Sequence, residues 1–136
     1  MARILGIDYG EVRCGLAVTD PLQIIVNSLI VIPTSELKTF ILIYCKKEKV
    51  EKIVFGLPKH KDGNDTHLVP YIKKIAYELV LEKSDIVIDF QDESYTSFEA
   101  KSILLKSGIG KQKRKEKSRI DEISAVLILQ KYLGHI

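Results

Sequence analysis

Short apolar runs separated by turn-forming residues occupy the first quarter of the chain. Residues 4–7 and 16–18 flank a glycine-containing turn, and a third run, residues 26–32, ends at Pro33. Short runs that are rich in β-branched residues are typical of strands, and the first two predict a β-hairpin. The pattern therefore predicts three consecutive antiparallel strands.

Helical spacing alternates with short apolar runs over the rest of the chain. Ser35 and Thr66 each offer an N-cap to a segment with apolar residues at helical spacing, and a Thr-x-x-Glu capping box opens a third segment. The predicted helices cover residues 35–47, 66–83, 96–105 and 120–133, with strands at residues 53–57 and 85–91. This order predicts an α/β fold with a mixed five-stranded sheet, antiparallel across its first three strands and parallel thereafter, with helices on both faces.

Length and composition favour one globular domain over residues 1–136. Of the 136 residues, 46% are hydrophobic and 29% are charged, which is enough apolar material for a core. Cys14 and Cys45 lie in apolar settings without metal-ligand spacing, so we expect both to be reduced. The chain shows no apolar segment of signal or membrane-spanning length. We therefore expect a cytoplasmic protein without a membrane partner.

Positive charge is concentrated in residues 111–119, which carry six basic residues and one acid. A charge run of this kind is commonly a solvated loop. Its position directly before Asp121 favours contact with a nucleic-acid backbone instead. The basic residues are Lys111, Lys113, Arg114, Lys115, Lys117 and Arg119.

Three carboxylates occupy positions that the predicted fold brings together. Asp8 ends the first strand, Glu93 follows the fifth strand, and Asp121 lies in the first turn of the last helix. Carboxyl ends of parallel strands share one edge of a sheet, where three acids repel unless divalent cations lie among them. Hard oxygen ligands of this kind suggest two-metal hydrolysis of phosphodiesters. Two alternatives stay open: Asp8 caps its turn, or Asp92 replaces Glu93 as the ligand.

Four segments resemble, in order and spacing, the motifs of the YqgF (RuvX) family of RNase-H-like bacterial proteins. They are GIDYGEVRCGLAVTD, FGLPKHKDGND, DESYTSFEA and IDEISAVLILQKYL. The resemblance covers essentially the whole chain and implies an RNase-H-like fold. It also implies a nuclease that is similar to Holliday-junction resolvases or acts at the 5′ end of precursor 16S rRNA. The family's three motif acids fall on Asp8, Glu93 and Asp121, which implies Mg²⁺ or Mn²⁺ as the cofactor.

The resemblance also extends to residues around the carboxylates. Arg13 matches the arginine of the first motif, and it either contacts a phosphate or pairs with a carboxylate such as Asp20. Lys59 and His60 depart from the second motif and stand where they could touch the nucleic acid. Ser124 occupies the position at which the related RuvC resolvases carry a fourth acid.

The favoured function is cleavage of structured RNA, with branched DNA as the other candidate substrate. A Holliday-junction resolvase needs two sites in a stable dimer, and the sequence offers no clear self-complementary patch. We therefore expect a monomer or a weak homodimer. A nucleic-acid-binding assembly factor without catalysis remains an alternative, as does a sugar-kinase-like phosphotransferase, although that fold needs two such domains.

Overall fold

A computed structural model describes residues 2–58, 66–92 and 113–136, which form five strands and three α-helices. The strands are β1 (Arg3–Asp8), β2 (Arg13–Thr19), β3 (Val26–Pro33), β4 (Val50–Leu57) and β5 (Val87–Asp92). The helices are α1 (Leu37–Lys47), α2 (Val69–Glu82) and α3 (Lys113–Tyr132). The predicted helix at residues 96–105 and the loop residues 59–65 lie outside the described residues.

The sheet has the order β3-β2-β1-β4-β5, with β1 at its centre. Strands β1, β2 and β3 pair antiparallel, whereas β4 runs parallel to both β1 and β5. The predicted mixed sheet is therefore confirmed. Because β1, β4 and β5 are parallel, their carboxyl ends, including Asp8 and Asp92, lie at the same edge.

Side chains that alternate along the strands bury both faces of the sheet. On one face, Leu5 and Ile7 pack in a cluster that also holds residues of α1 and α2. On the other face, Ile4 packs with Ala125, Ile128 and Leu129 of α3. The strands are apolar on both sides because each face is covered by helix, as predicted.

A polar chain joins the end of α3 to two strands. The Lys52 Nζ donates to the Tyr132 hydroxyl at 2.8 Å, and that hydroxyl donates to the Asp89 Oδ2 at 2.6 Å. The Tyr132 hydrogen bond, together with one from the Phe90 N–H, lowers the pKa of the Asp89 carboxyl. The same tyrosine contact raises the pKa of Lys52. These bonds fix α3 against β4 and β5.

The last helix begins earlier than the sequence predicts, at Lys113 rather than at residue 120. Lysine, arginine and glutamate have high helix propensity, and neither glycine nor proline occurs between Lys113 and Asp121. The predicted start of the last helix at residue 120 was therefore wrong, because residues 113–119 are helical rather than a loop. These residues form the first two turns of the helix that carries Asp121.

Two predicted N-caps also differ in the structure. Thr34–Glu36 form a 3₁₀ turn before α1, so Ser35 does not cap the helix. Thr66 accepts hydrogen bonds from the Leu68 and Val69 N–H groups, and α2 then begins at Val69.

Among the described residues, no helix has the length and apolar character needed to cross a membrane.

Replacing Tyr132 with phenylalanine removes the donor to Asp89 while keeping the ring. We expect Tyr132→Phe to lower the free energy of unfolding by about 1 kcal/mol at neutral pH, because the bond is partly solvated. Since the folded-state pKa of Asp89 is lowered, its contribution is present above the ordinary pKa of about 4 and is lost as pH falls through the folded value. The difference from wild type should shrink in acid.

The measurement is urea unfolding of both proteins between neutral and acidic pH. Tyr77→Phe is the matched control, since Tyr77 is exposed on α2. A Tyr132→Phe effect that stays constant across the pH range would contradict the assigned role of Asp89.

Candidate active site

Asp8 and Asp121 reach the same edge of the sheet because β2 carries a glycine between them. Gly15 pairs with Asp8 across the β1–β2 ladder. A Cβ built on Gly15 would lie 2.3 Å from the Asp121 carbonyl oxygen and 3.4 Å from its Cβ. The backbone of α3 can approach β2 this closely only because Gly15 has no side chain. The structure thus places the helix-borne acid beside the end of β1.

Arg13 pairs with Asp121. The Arg13 Nε donates to the Asp121 Oδ2 at 2.5 Å, and the side chains are 36% and 23% exposed. Asp20, the partner considered from the sequence, instead accepts N–H bonds from its own turn, chiefly from Ile25 and Ile24, which lower the pKa of its carboxyl. Arg13 therefore supplies positive charge directly at one of the predicted metal ligands.

The turn between β1 and β2 is held from behind by Thr34. The Thr34 hydroxyl donates to the Gly10 carbonyl oxygen at 2.6 Å, and the Thr34 N–H donates to the Val12 carbonyl oxygen at 3.0 Å. The Cys14 Sγ lies 3.4 Å from the Thr34 Oγ1. These contacts fix the turn that connects Asp8 with Arg13.

Cys14 is a buried thiol close to this edge. Burial is the main cause that raises the pKa of the Cys14 thiol, and the charges of Asp8 and Asp121 raise it further. Both carboxylates therefore act on one buried sulfur. Cys14 and Cys45 are free thiols, in keeping with the expected reduced state.

The other residues predicted from the sequence fall into two groups. Glu93, Lys59, His60 and Lys111 lie outside the described residues. The remaining basic residues lie in the first two turns of α3, immediately before Asp121: Lys113, Arg114, Lys115, Lys117 and Arg119. Two of the three predicted carboxylates are thus placed by the structure, and they are placed together.

The donor set at this edge suits a hard divalent cation. Carboxylate oxygens are the ligands that Mg²⁺ and Mn²⁺ prefer. Within residues 2–58, 66–92 and 113–136, no three His, Cys, Asp or Glu side chains form a cluster that could hold a metal. A third carboxylate ligand beside Asp8 and Asp121 would have to come from outside these ranges. Glu93, the predicted third ligand, directly follows the last residue of β5 in the sequence.

Ser124, the position that the resemblance to the RuvC resolvases singled out, lies three residues after Asp121 on α3. It is fully buried, and its hydroxyl has no hydrogen-bond partner among the described residues. A carboxylate in this position would carry a large desolvation cost unless a cation compensated it. The buried serine fits a site of three acids.

Four further residues near the edge were not assigned a role from the sequence. Glu11, His67, Leu68 and Tyr71 line a depression beside the turn that follows β1. The His67 ring contacts the Glu11 carboxylate. No local sequence pattern predicts this contact, because 56 positions separate Glu11 from His67 and only the tertiary fold brings them together.

The chain has an RNase-H-like fold, similar to that of the RuvC resolvases. The Thermus thermophilus RuvC in complex with a Holliday junction substrate superposes with a TM-score of 0.57 at 13% identity, covering 98% of this chain and 97% of that one. The fowlpox virus resolvase, also solved with Holliday junction DNA, gives 0.56 at 11% identity, with coverages of 98% and 97%. At these identities the likeness shows the fold alone.

The chain belongs to the RuvX family, whose model is described as a Holliday junction resolvase and matches residues 2–135. A Porphyromonas gingivalis relative is 46% identical over 135 residues, covering 99% of this chain and 98% of the relative. A Phocaeicola vulgatus relative is 44% identical over 137 residues, with coverages of 98% and 96%. Both carry the name "Putative pre-16S rRNA nuclease". The resemblance inferred from the four motifs is confirmed.

Two glycines against α3 separate stability from site geometry. A Cβ on Gly6 would lie 2.4 Å from the Leu129 Cγ, in the core, whereas one on Gly15 meets the Asp121 backbone. We expect Gly6→Ala and Gly15→Ala each to cost about 1–3 kcal/mol by overpacking. Only Gly15→Ala should also displace Asp121, with a loss of nuclease activity of about a hundredfold.

Thermal unfolding and nuclease assays at a temperature where both variants are folded provide the comparison. Equal activities in the two variants would mean that the α3 approach at Gly15 does not position the site.

Proposed function

We propose that this protein is a divalent-metal-dependent nuclease that cuts phosphodiester bonds of structured RNA, with Asp8, Glu93 and Asp121 as metal ligands. The observation that carries the proposal is the placement of Asp121 against Gly15, beside Asp8 at the carboxyl edge of β1. The family membership supports a phosphodiester hydrolase.

The carboxylates act by binding Mg²⁺ or Mn²⁺ at the edge of the sheet. A bound pair of such ions would polarise the phosphate, activate water and stabilise the leaving oxygen. Asp8 is held by the central strand and Asp121 by a helix that is fixed at its other end through Tyr132. Rigid elements on both sides hold the two carboxylates in place before substrate arrives.

Arg13 has two successive roles in this proposal. Without a cation it balances the charge of Asp121 through the ion pair. With a divalent cation held by Asp121, the guanidinium of Arg13 would be released from this charge balance, and its planar fork would bind a phosphate oxygen of the substrate. Arg13 then positions the nucleic acid at the site where its bond is cut.

Basic residues next to the site extend the contact with the nucleic-acid backbone. The first two turns of α3 are rich in lysine and arginine and directly precede Asp121 in the sequence, and positive charge of this kind favours binding of phosphates. We assign backbone contacts to Lys113, Arg114, Lys115, Lys117 and Arg119, and further contacts to Lys111, Lys59 and His60.

The names of the relatives support precursor 16S rRNA as the substrate, and we propose processing of its 5′ end in the cytoplasm by a monomer or weak homodimer. A second candidate is resolution of branched DNA, which the description of the family model favours. The buried Ser124 in place of a fourth acid separates this chain from the RuvC resolvases and favours RNA.

Replacing one metal ligand tests the proposal. Wild-type protein should cut a structured precursor 16S RNA in Mg²⁺ or Mn²⁺ and should be inactive in EDTA. Asp8→Asn keeps the shape of the side chain but removes its charge, so it should abolish cleavage. The matched control is Asp20→Asn, since the Asp20 carboxylate caps its own turn.

A four-way DNA junction assayed in parallel distinguishes the two substrates. Cleavage that persists in EDTA, or that Asp8→Asn and Asp20→Asn affect alike, would contradict the proposed metal site. Paired symmetric cuts in the junction, without cleavage of the RNA, would favour the resolvase alternative.

A further inference from the structure

A groove leads away from the carboxylate edge. One depression of about 520 Å³ is lined by Arg13, Asp121 and residues of the turn after β1. A second depression, of about 370 Å³, is lined by Tyr9, Glu11, His67, Leu68 and Tyr71. Glu11, His67 and Leu68 line both, so the two lie side by side. We refer to the second depression as the tyrosine groove.

The tyrosine groove combines a fixed floor with an exposed aromatic wall. Tyr9 and Leu68 pack against the main core cluster, which limits their movement. Tyr71, in the first turn of α2, is 59% exposed. Burial raises the pKa of the Tyr9 phenol, and nearby Tyr71 and Glu11 contribute to the rise, in keeping with their shared surface. An exposed ring beside an apolar floor is suited to stacking with a planar ligand.

Polar groups border the same space. The Glu11 carboxylate and the His67 ring contact each other, and both side chains are largely exposed. Carboxylate oxygens accept hydrogen bonds, and imidazole nitrogens donate or accept them. This pair can therefore hydrogen-bond the edge of a nucleobase whose face lies on an aromatic ring.

We propose that the tyrosine groove binds one unpaired nucleotide of the substrate, adjacent to the phosphate that lies at Asp8 and Asp121, with its base stacked on Tyr71. This inference rests on the proposed nuclease function, because a nucleic-acid strand bound at the carboxylate edge would extend into the adjacent groove. In a duplex both faces of each base are covered by neighbours, so an aromatic ring in a groove selects an unpaired base. The substrate class is then a strand that is single-stranded next to the cut.

A tryptophan placed in the groove reports binding directly. The chain contains no tryptophan, so Tyr71→Trp gives a single tryptophan, which is excited selectively at wavelengths where tyrosine does not absorb, and keeps an aromatic ring in place. Tyr77→Trp is the matched control, because Tyr77 lies on the same helix, is 66% exposed and does not line the groove. A single-stranded oligouridylate, added in Ca²⁺ to suppress cleavage, should quench the fluorescence of Tyr71→Trp and leave that of Tyr77→Trp unchanged.

Affinities for a labelled oligouridylate complete the test. Loss of one stacked base should weaken binding of Tyr71→Ala by about tenfold, whereas Tyr71→Phe and Tyr77→Ala should bind like wild type. Binding of a blunt RNA duplex should not respond to any of these changes. Thermal unfolding checks that each variant is folded.

The outcomes separate this inference from the nuclease proposal. Equal affinities of Tyr71→Ala and Tyr77→Ala, or equal loss of duplex binding by Tyr71→Ala, would overturn the tyrosine groove even if wild type cuts RNA. Selective quenching of Tyr71→Trp by single strands would support the groove even if no cleavage is found. Failure of the wild-type protein to bind single-stranded RNA would overturn the proposed role of the tyrosine groove. The cleavage assay would then still decide the nuclease proposal independently.

Discussion

The close approach of α3 to β2 at Gly15 is the constraint on which the rest of the site depends. A strand and a helix meet there with backbone atoms in contact, since a Cβ at Gly15 would lie 2.3 Å from the Asp121 carbonyl oxygen. Any larger residue would push the helix outward and carry Asp121 away from Asp8. The apolar contacts of Ile128 and Leu129 farther along α3 hold the helix in this position.

Negative charge gathered at one edge has to be balanced, and the structure shows how this chain does so. Arg13 pairs with Asp121, so its guanidinium supplies the compensating positive charge. The same arginine lies on β2, next to the turn that Thr34 holds, so its position is coupled to that of Asp8. A charge-balanced edge can remain folded without a metal and still offer oxygen ligands when one is present. The same few residues thus hold this edge together and form the proposed metal site.

Much of the fold could be predicted from the sequence because each signal was local. Apolar runs of strand length, helical spacing and right-handed crossovers define the sheet order with β1 in the centre. The start of α3 could not be predicted, because a run of lysine and arginine is typical both of an exposed loop and of an exposed helix. Ser35 was read as a cap, whereas Thr34 is the residue that bonds the neighbouring turn.

The site was predictable in outline only. The end of β1 was sufficient to place Asp8 at the edge of the sheet. Asp121 was expected in the first turn of the last helix, whereas it lies in the third turn of α3. The partner of Arg13 could not be predicted. Asp20 is nearer in sequence, but its carboxylate accepts hydrogen bonds from the N–H groups of its own turn. Likewise, Glu11 and Tyr71 line the same groove because the fold brings the turn after β1 close to the start of α2, and no local motif predicts this contact.

The central claim is that Asp8 and Asp121 bind the same divalent cation, and anomalous diffraction from crystals soaked in Mn²⁺ tests it most directly. The account predicts an anomalous peak about 2.0–2.2 Å from a carboxylate oxygen of each residue, with the Arg13 Nε withdrawn from Asp121. Crystals of Asp8→Asn soaked alongside should show a weaker peak or none. Manganese bound away from both carboxylates, with the Arg13 ion pair intact, would contradict the account.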